Sequence, residues 1–194
     1  IRTSLILTSI LMFTAIGSRL GNTILAANAI LIMLQMFMSY SLDGFAQAAE
    51  GLVGNEFGKK NKRNIIKIVV SSGMISFIFS FLYFLIFYLF IDKIIVLITP
   101  LEEVLTEIQN YTIWILISPL ISFLSFHMDG VFIGANKTRI MKNTVIISFI
   151  IFIISLCLLV PIYKNDGLWV SFLIFMFFRG ILLLTKYRDI YKFN

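Results

Sequence analysis

Charge is scarce in this chain of 194 residues: 13% are Asp, Glu, Lys or Arg, against about 25% in an ordinary soluble domain. Cysteine occurs once, at Cys157, and histidine once, at His127. An intrachain disulfide, a CxxC motif and a Cys/His metal set are therefore excluded. There is no Gly-rich phosphate loop and no Ser/His/Asp constellation in a credible context, so nothing points to an enzyme, and no cofactor is expected. Three prolines are too few to interrupt the apolar runs. What is abundant is hydrophobic: 59% of residues, twenty of them Phe, with a mean hydropathy of +0.97. A chain this short has too little interior to hide so much apolar surface from water, which rules out a soluble enzyme or nucleic-acid module. The pattern is that of an all-α polytopic membrane protein.

Six apolar segments are readable, each near the ~20 residues that cross the hydrocarbon. They cover about Arg2–Ile16, Ile24–Val53, Ile65–Ile91, Val104–Ile133, Ile140–Val160 (ended by Pro161) and Leu168–Leu184. The second is longer than a span, and its end near Gln47, Glu50 and Asn55 is expected to emerge as a continuing helix. Ser118-Pro119 lies in the middle of the fourth, where Pro119 is expected to kink it. The first run begins by Leu5, almost at Ile1, with no small-residue cleavage site after Arg2. No cleavable leader is expected, and the chain reads as a fragment lacking its N-terminal side.

Net charge is +6, and its placement matters more than its size. Lys59, Lys60, Lys62, Arg63 and Lys67 follow the second segment, Lys137, Arg139 and Lys142 the fourth, and Lys186, Arg188 and Lys192 the sixth. The opposite side holds Arg19, Lys93 and Lys164 alongside Asp92, Glu102, Glu103, Glu107 and Asp166. Eleven basic residues against three put the first set, with both ends of the chain, in the cytoplasm. Arg179, seven residues before Lys186, is expected to snorkel to the headgroups as an anchor. Tyr83, Tyr88, Trp169 and Tyr187 fit interfacial belts.

An ionisable group in a membrane helix costs about 2.5–3.5 kcal/mol on insertion scales, so its default reading is functional. The candidates are Asp43 and Asp129, in a weak repeat: Leu42-Asp43-Gly44-Phe45 returns as Met128-Asp129-Gly130-Val131. Tyr111, Ser118, Ser122, Ser125 and Asp129 fall on one face at helical period, as do Asn28, Gln35, Ser39, Asp43, Gln47 and Glu50. Such stripes should face a cavity or another helix, although hydroxyls and amides also serve as interhelical glue worth about 0.6 kcal/mol each. The candidate cation and substrate cavity thus comprises Asp129, Asp43, Ser125, Ser122, Ser118, Tyr111, Gln47 and Gln35. His127, two residues from Asp129, lies on another face and reads as a structural or lipid-interface histidine. Lacking a Walker motif, a transporter of this kind must draw on an ion gradient.

The stretches Ala26-Ala27-Asn28-Ala29-Ile30, Leu42-Asp43-Gly44-Phe45-Ala46 and Gly54-Asn55-Glu56-Phe57-Gly58 resemble the first two helices of the C-terminal half of a MATE (multidrug and toxic compound extrusion) transporter, in its DinF-like branch. Met128-Asp129-Gly130-Val131-Phe132-Ile133-Gly134-Ala135, with the basic loop after it, resembles the fourth helix of that half. The resemblance implies that residues 1–194 form one six-helix lobe, helices seven to twelve of a twelve-helix transporter, with the N-terminal lobe absent. It further implies a multi-pass protein of a bacterial inner membrane, in contact with lipids and the missing lobe and with no nucleic acid. The activity implied is export of small organic cations or amphipathic compounds in exchange for H⁺ or Na⁺. Asp129 matches an acid that some relatives use in a C-lobe cation site. Those Na⁺-type relatives also carry an acid in the first helix of this lobe; here Ile1 to Arg19 has none, which tilts the expectation toward H⁺. The alternatives are a lipid-linked oligosaccharide flippase of the same superfamily, which needs Arg or Lys inside the bundle to hold a pyrophosphate, and a non-transporting membrane scaffold subunit.

Overall fold

The structure, a computed structural model, describes residues 2–192. Its helices are α1 (Arg2–Leu20), α2 (Asn22–Gly58), α3 (Lys62–Ile98), α4 (Glu102–Gly134) and α5 (Thr138–Thr185), followed by a 3₁₀ turn at Tyr187–Tyr191. All five α-helices are long and apolar enough to cross a membrane. Short turns separate them: Gly21 at φ 138 between α1 and α2, Lys60 and Asn136, both at φ 54, in the next two basic-end turns. Asn61 caps α3, its side chain accepting from the Asn64 amide at 3.3 Å.

Five continuous helices stand where six segments are expected. Pro161 does not stop the fifth segment; α5 runs through it and breaks at Lys164 (φ 49, ψ −119). The break divides α5 into two arms, 138–163 and 165–185. A Cβ at Gly167 would collide with the Leu159 carbonyl oxygen, so a glycine there lets the second arm fold back on the first. Phe152 and Phe175, 5.5 Å apart, join the two arms.

The centre of the bundle is α4, two thirds of whose most apolar window is buried, against a third or less for the other helices. It packs on α2, α3 and α5, while α1 lies outside against α5 and α2. The close fit to α2 depends on small residues: a Cβ on Gly130 would strike the Ala46 carbonyl oxygen, and one on Gly134 that of Glu50. Pro119 is buried within an unbroken α4. One apolar core gathers Phe13, Leu31, Ile108, Ile115, Phe152 and Trp169; a second, toward the basic end, gathers Val53, Ile65, Val131, Phe132, Leu183 and Ile190.

Candidate functional site

Asp129 lies five residues before the end of α4 and is 4% exposed. One of its oxygens, Oδ2, accepts from two guanidinium groups: Arg2 Nη2 on α1 at 2.5 Å and Arg179 Nη2 on α5 at 2.6 Å. Arg179 is itself 2% exposed, with its guanidinium 5.9 Å from the Phe126 ring centre and 5.6 Å from that of Phe175. The expected headgroup anchor is thus a buried partner of the acid. Distance along the helix axis favoured snorkelling, but Arg179 occupies the face that packs on α4. Gly180 beside it brings the arm to the Ser125 backbone, where a Cβ would lie 2.9 Å from the Ser125 nitrogen.

Asp43 is in the opposite situation. It is exposed on α2, within electrostatic reach of Asp129, Arg179 and Arg2. Gln47, one turn on, and Tyr40, 70% exposed, share its open side. The charges of Asp43 and Asp129 balance those of Arg2 and Arg179.

The serine stripe of α4 is closed. Ser118, Ser122 and Ser125 are fully buried. Ser118 donates to the side-chain oxygen of Gln35 on α2. Ser122 donates to the Ser118 carbonyl at 2.6 Å and Ser125 to the Ser122 carbonyl at 2.8 Å. Ser118 thus ties α4 to α2, while Ser122 and Ser125 are satisfied by carbonyls of their own helix. Tyr111 stands apart, about 27 Å along α4 from Asp129 at 1.5 Å per residue, beside Glu107, Asp166 and Asn165. The eight candidates therefore divide into a charged pair, Asp43 and Asp129, with the exposed Gln47 beside Asp43, a buried set of Gln35 and the three serines, and Tyr111 at the far end.

That far group contains a knot that spacing alone did not show. Asn28 and Asn165 exchange side-chain hydrogen bonds at 2.7 and 3.0 Å, and Trp169 donates to Asn28 Oδ1 at 2.9 Å. All three are buried, so Trp169, expected in an interfacial belt, is a core residue. Trp114 donates to Asp166 at 2.7 Å nearby. His127 is buried, with Nε2 3.1 Å from the Val69 carbonyl.

The surface has two characters. On α3, Met74, Ile75, Phe77, Ile78, Phe81 and Leu82 are exposed, a face suited to acyl chains. On α1, Ser4, Thr8, Thr14 and Ser18 are exposed, and on α2 Asp43 and Gln47.

A family model described as MatE matches residues 2–159. The DNA damage-inducible protein F of Escherichia coli (strain K12) is 32% identical over 179 residues, which cover 90% of this chain and 38% of that protein. A solved structure titled as that of the eukaryotic MATE transporter AtDTX14 superposes with a TM-score of 0.77 at 17% identity, covering 84% of this chain and 37% of that one. The chain thus spans less than two fifths of each relative's length.

Proposed function

Because the chain belongs to the MatE family, we propose that it forms one lobe of an ion-coupled exporter of cationic or amphipathic compounds. In this reading the lobe lies in a bacterial inner membrane with its basic end cytoplasmic, works with a second lobe, and is coupled to H⁺. The observation that carries it is the exposure of Asp43 on a polar face beside a charged cluster whose other acid, Asp129, is already matched by two arginines. A cation arriving at Asp129 would be a third positive charge on one carboxylate. At Asp43 it meets an accessible carboxylate whose Coulomb balance is set by the neighbouring group. Proton and substrate then compete for Asp43, and transport follows if each favours a different facing of the lobes. Asp129 organises the cluster by holding α1, α4 and α5 together.

Efflux of a fluorescent organic cation from vesicles bearing the full-length protein tests the assignment. Asp43→Asn is expected to abolish proton-driven efflux while the protein inserts and melts normally. Wild-type efflux in that variant removes Asp43 from the mechanism.

One observation favours a second reading. The flippase alternative needs cationic side chains inside the bundle, and Arg179 is inside it, with Arg2 at its rim. An anionic headgroup that displaced Asp129 would meet both guanidinium groups. Translocation of a pyrophosphate-bearing lipid that survives Asp43→Asn and stops in Arg179→Gln protein that still inserts and melts as a folded protein would favour it.

A further inference from the structure

At the basic end, segments far apart in sequence form one surface. Lys62 Nζ lies 5.1 Å from the Tyr191 ring centre, Lys137 Nζ donates to the Lys192 carbonyl at 2.7 Å, and the same Nζ stands 5.7 Å from the Phe57 ring. Ile190, fully buried beneath the 3₁₀ turn, pins the tail to the inner core. The result is a cleft of about 490 Å³ lined by Lys62, Ile66, Tyr187, Arg188, Tyr191 and Lys192. Lys192 is matched by Asp189 at 2.5 Å. Lys62 and Arg188 have no carboxylate within ion-pair distance among the described residues, so the cleft carries an excess of two positive charges. Burial raises the Tyr191 phenol above its ordinary range.

A second hollow adjoins the first. Tyr187 also lines an apolar groove of about 290 Å³ between α3, α4 and α5, with Val70, Gly73, Phe123, Leu124 and Leu184. At Gly73 the wall of the groove packs closely on His127, where a Cβ would lie 3.0 Å from Nε2. The groove runs along the helix whose exposed Val70, Met74 and Phe77 form the lipid-facing side. A basic cleft at the headgroup level above an apolar channel at acyl-chain level, sharing one tyrosine, has the two-part chemistry of a phospholipid.

We propose that these hollows bind one anionic phospholipid from the leaflet at the basic end, its phosphate over Lys62 and Arg188 and one acyl chain in the Val70–Leu184 groove. A soluble phosphate would use the cleft and ignore the groove, and a zwitterionic lipid would bring to the cleft an ammonium that cancels the charge of its own phosphate. Each Lys or Arg near an anionic headgroup contributes on the order of a tenfold change in affinity or somewhat less. An occupant here ties α3, the α5 tail and α4 together at the end where the charged cluster lies.

The test is native mass spectrometry of the full chain in neutral detergent, titrated with phosphatidylglycerol and with phosphatidylcholine. Phosphatidylglycerol is expected to be retained about thirtyfold more strongly, and the exposed-residue variant Lys62→Gln/Arg188→Gln to bring it to the phosphatidylcholine level. Lys62→Arg/Arg188→Lys is expected to retain the preference. Val70→Trp, which fills the groove from an exposed position, is expected to weaken the lipid and leave glycerol 3-phosphate binding unchanged. Equal retention of the two lipids would overturn the proposal, as would a neutralised variant that still prefers phosphatidylglycerol. Competition by glycerol 3-phosphate at the lipid's own concentration would also overturn it, showing a soluble-phosphate site. If the double variant melts early, Val70→Trp alone decides: undiminished lipid binding there excludes the groove.

Discussion

Arg179 on the second arm of α5 and Asp129 on α4 meet at 2.6 Å with their side chains only 3% and 6% exposed. Two charges shut inside a bundle persist only as a matched set, because removing one partner leaves an uncompensated buried charge. The third member, Arg2, has its side chain 31% exposed and can draw on solvent or headgroups when unpaired. The cluster is therefore unequal, and its asymmetry is measurable.

Asp129→Leu is expected to be the worst single change, since it leaves two guanidinium groups facing each other; Arg179→Leu should cost about 3–5 kcal/mol. Arg2→Gln should cost about 1 kcal/mol or less, as an exposed pair does. The combined Asp129→Leu/Arg179→Leu variant should recover part of the single losses. Thermal melting of the four proteins in one detergent checks the ranking. Additive losses in the double variant would contradict a coupled pair.

The apolar runs and the basic-end loops are legible because the helical period and the scarcity of charge leave few alternatives; the α4 stripe shows its period but not that its serines close on their own helix instead of lining a cavity. Arg179 was misread although the signal was present. It lies seven residues after Phe172 and four before Leu183, on the buried face of its arm, a register that outweighs its short distance to Lys186. The repeated Asp-Gly shows what a local motif cannot carry: Asp129 is enclosed because α4 is central, and Asp43 is exposed because α2 has an open side. Trp169 was misplaced for a related reason, since its N–H finds a buried acceptor on Asn28, more than a hundred residues earlier. Pro161 failed as a stop because the helix tolerates it for three more residues and reverses at Lys164.

The amide knot makes its own prediction. Asn28→Leu strands the Asn165 amide and the Trp169 N–H, at about 1–3 kcal/mol for each buried group left unpaired. The loss should be local, because the knot joins α2 to the start of the second arm next to the Lys164 break. In a Trp114→Phe background, Trp169 emission should shift to the red, and amide exchange should accelerate around residues 165–172. Unchanged emission would show that the arm is held without the knot.

Orientation is open to direct labelling. If the basic end is cytoplasmic, Lys164→Cys at the opposite end, in a Cys157→Ser background, reacts with an impermeant maleimide in intact cells. Lys186→Cys in the same background reacts only after permeabilisation. Both positions are exposed, so access is decided by the side of the membrane. The reverse pattern would invert the assignment made from charge placement.

The two glycines of the repeated motif separate packing from propensity. At Gly130 a Cβ meets the Ala46 backbone, so Gly130→Ala must push α4 away from α2 along their closest approach. At Gly44 nothing among the described residues lies within 4 Å of the added carbon. Gly44→Ala should therefore be neutral, or stabilising by about 0.5–1 kcal/mol through reduced backbone freedom, while Gly130→Ala should lower the melting temperature or abolish expression. The same substitution in the same tetrapeptide register then gives opposite signs, and the only variable is the neighbouring helix. Melting curves of the two variants settle it. If both are neutral, the α2–α4 contact is looser than the backbone geometry requires, and the placement of Asp129 between its arginines loses its support. If Gly44→Ala alone is damaging to the full-length protein, the open face of α2 is covered there by another surface at that glycine.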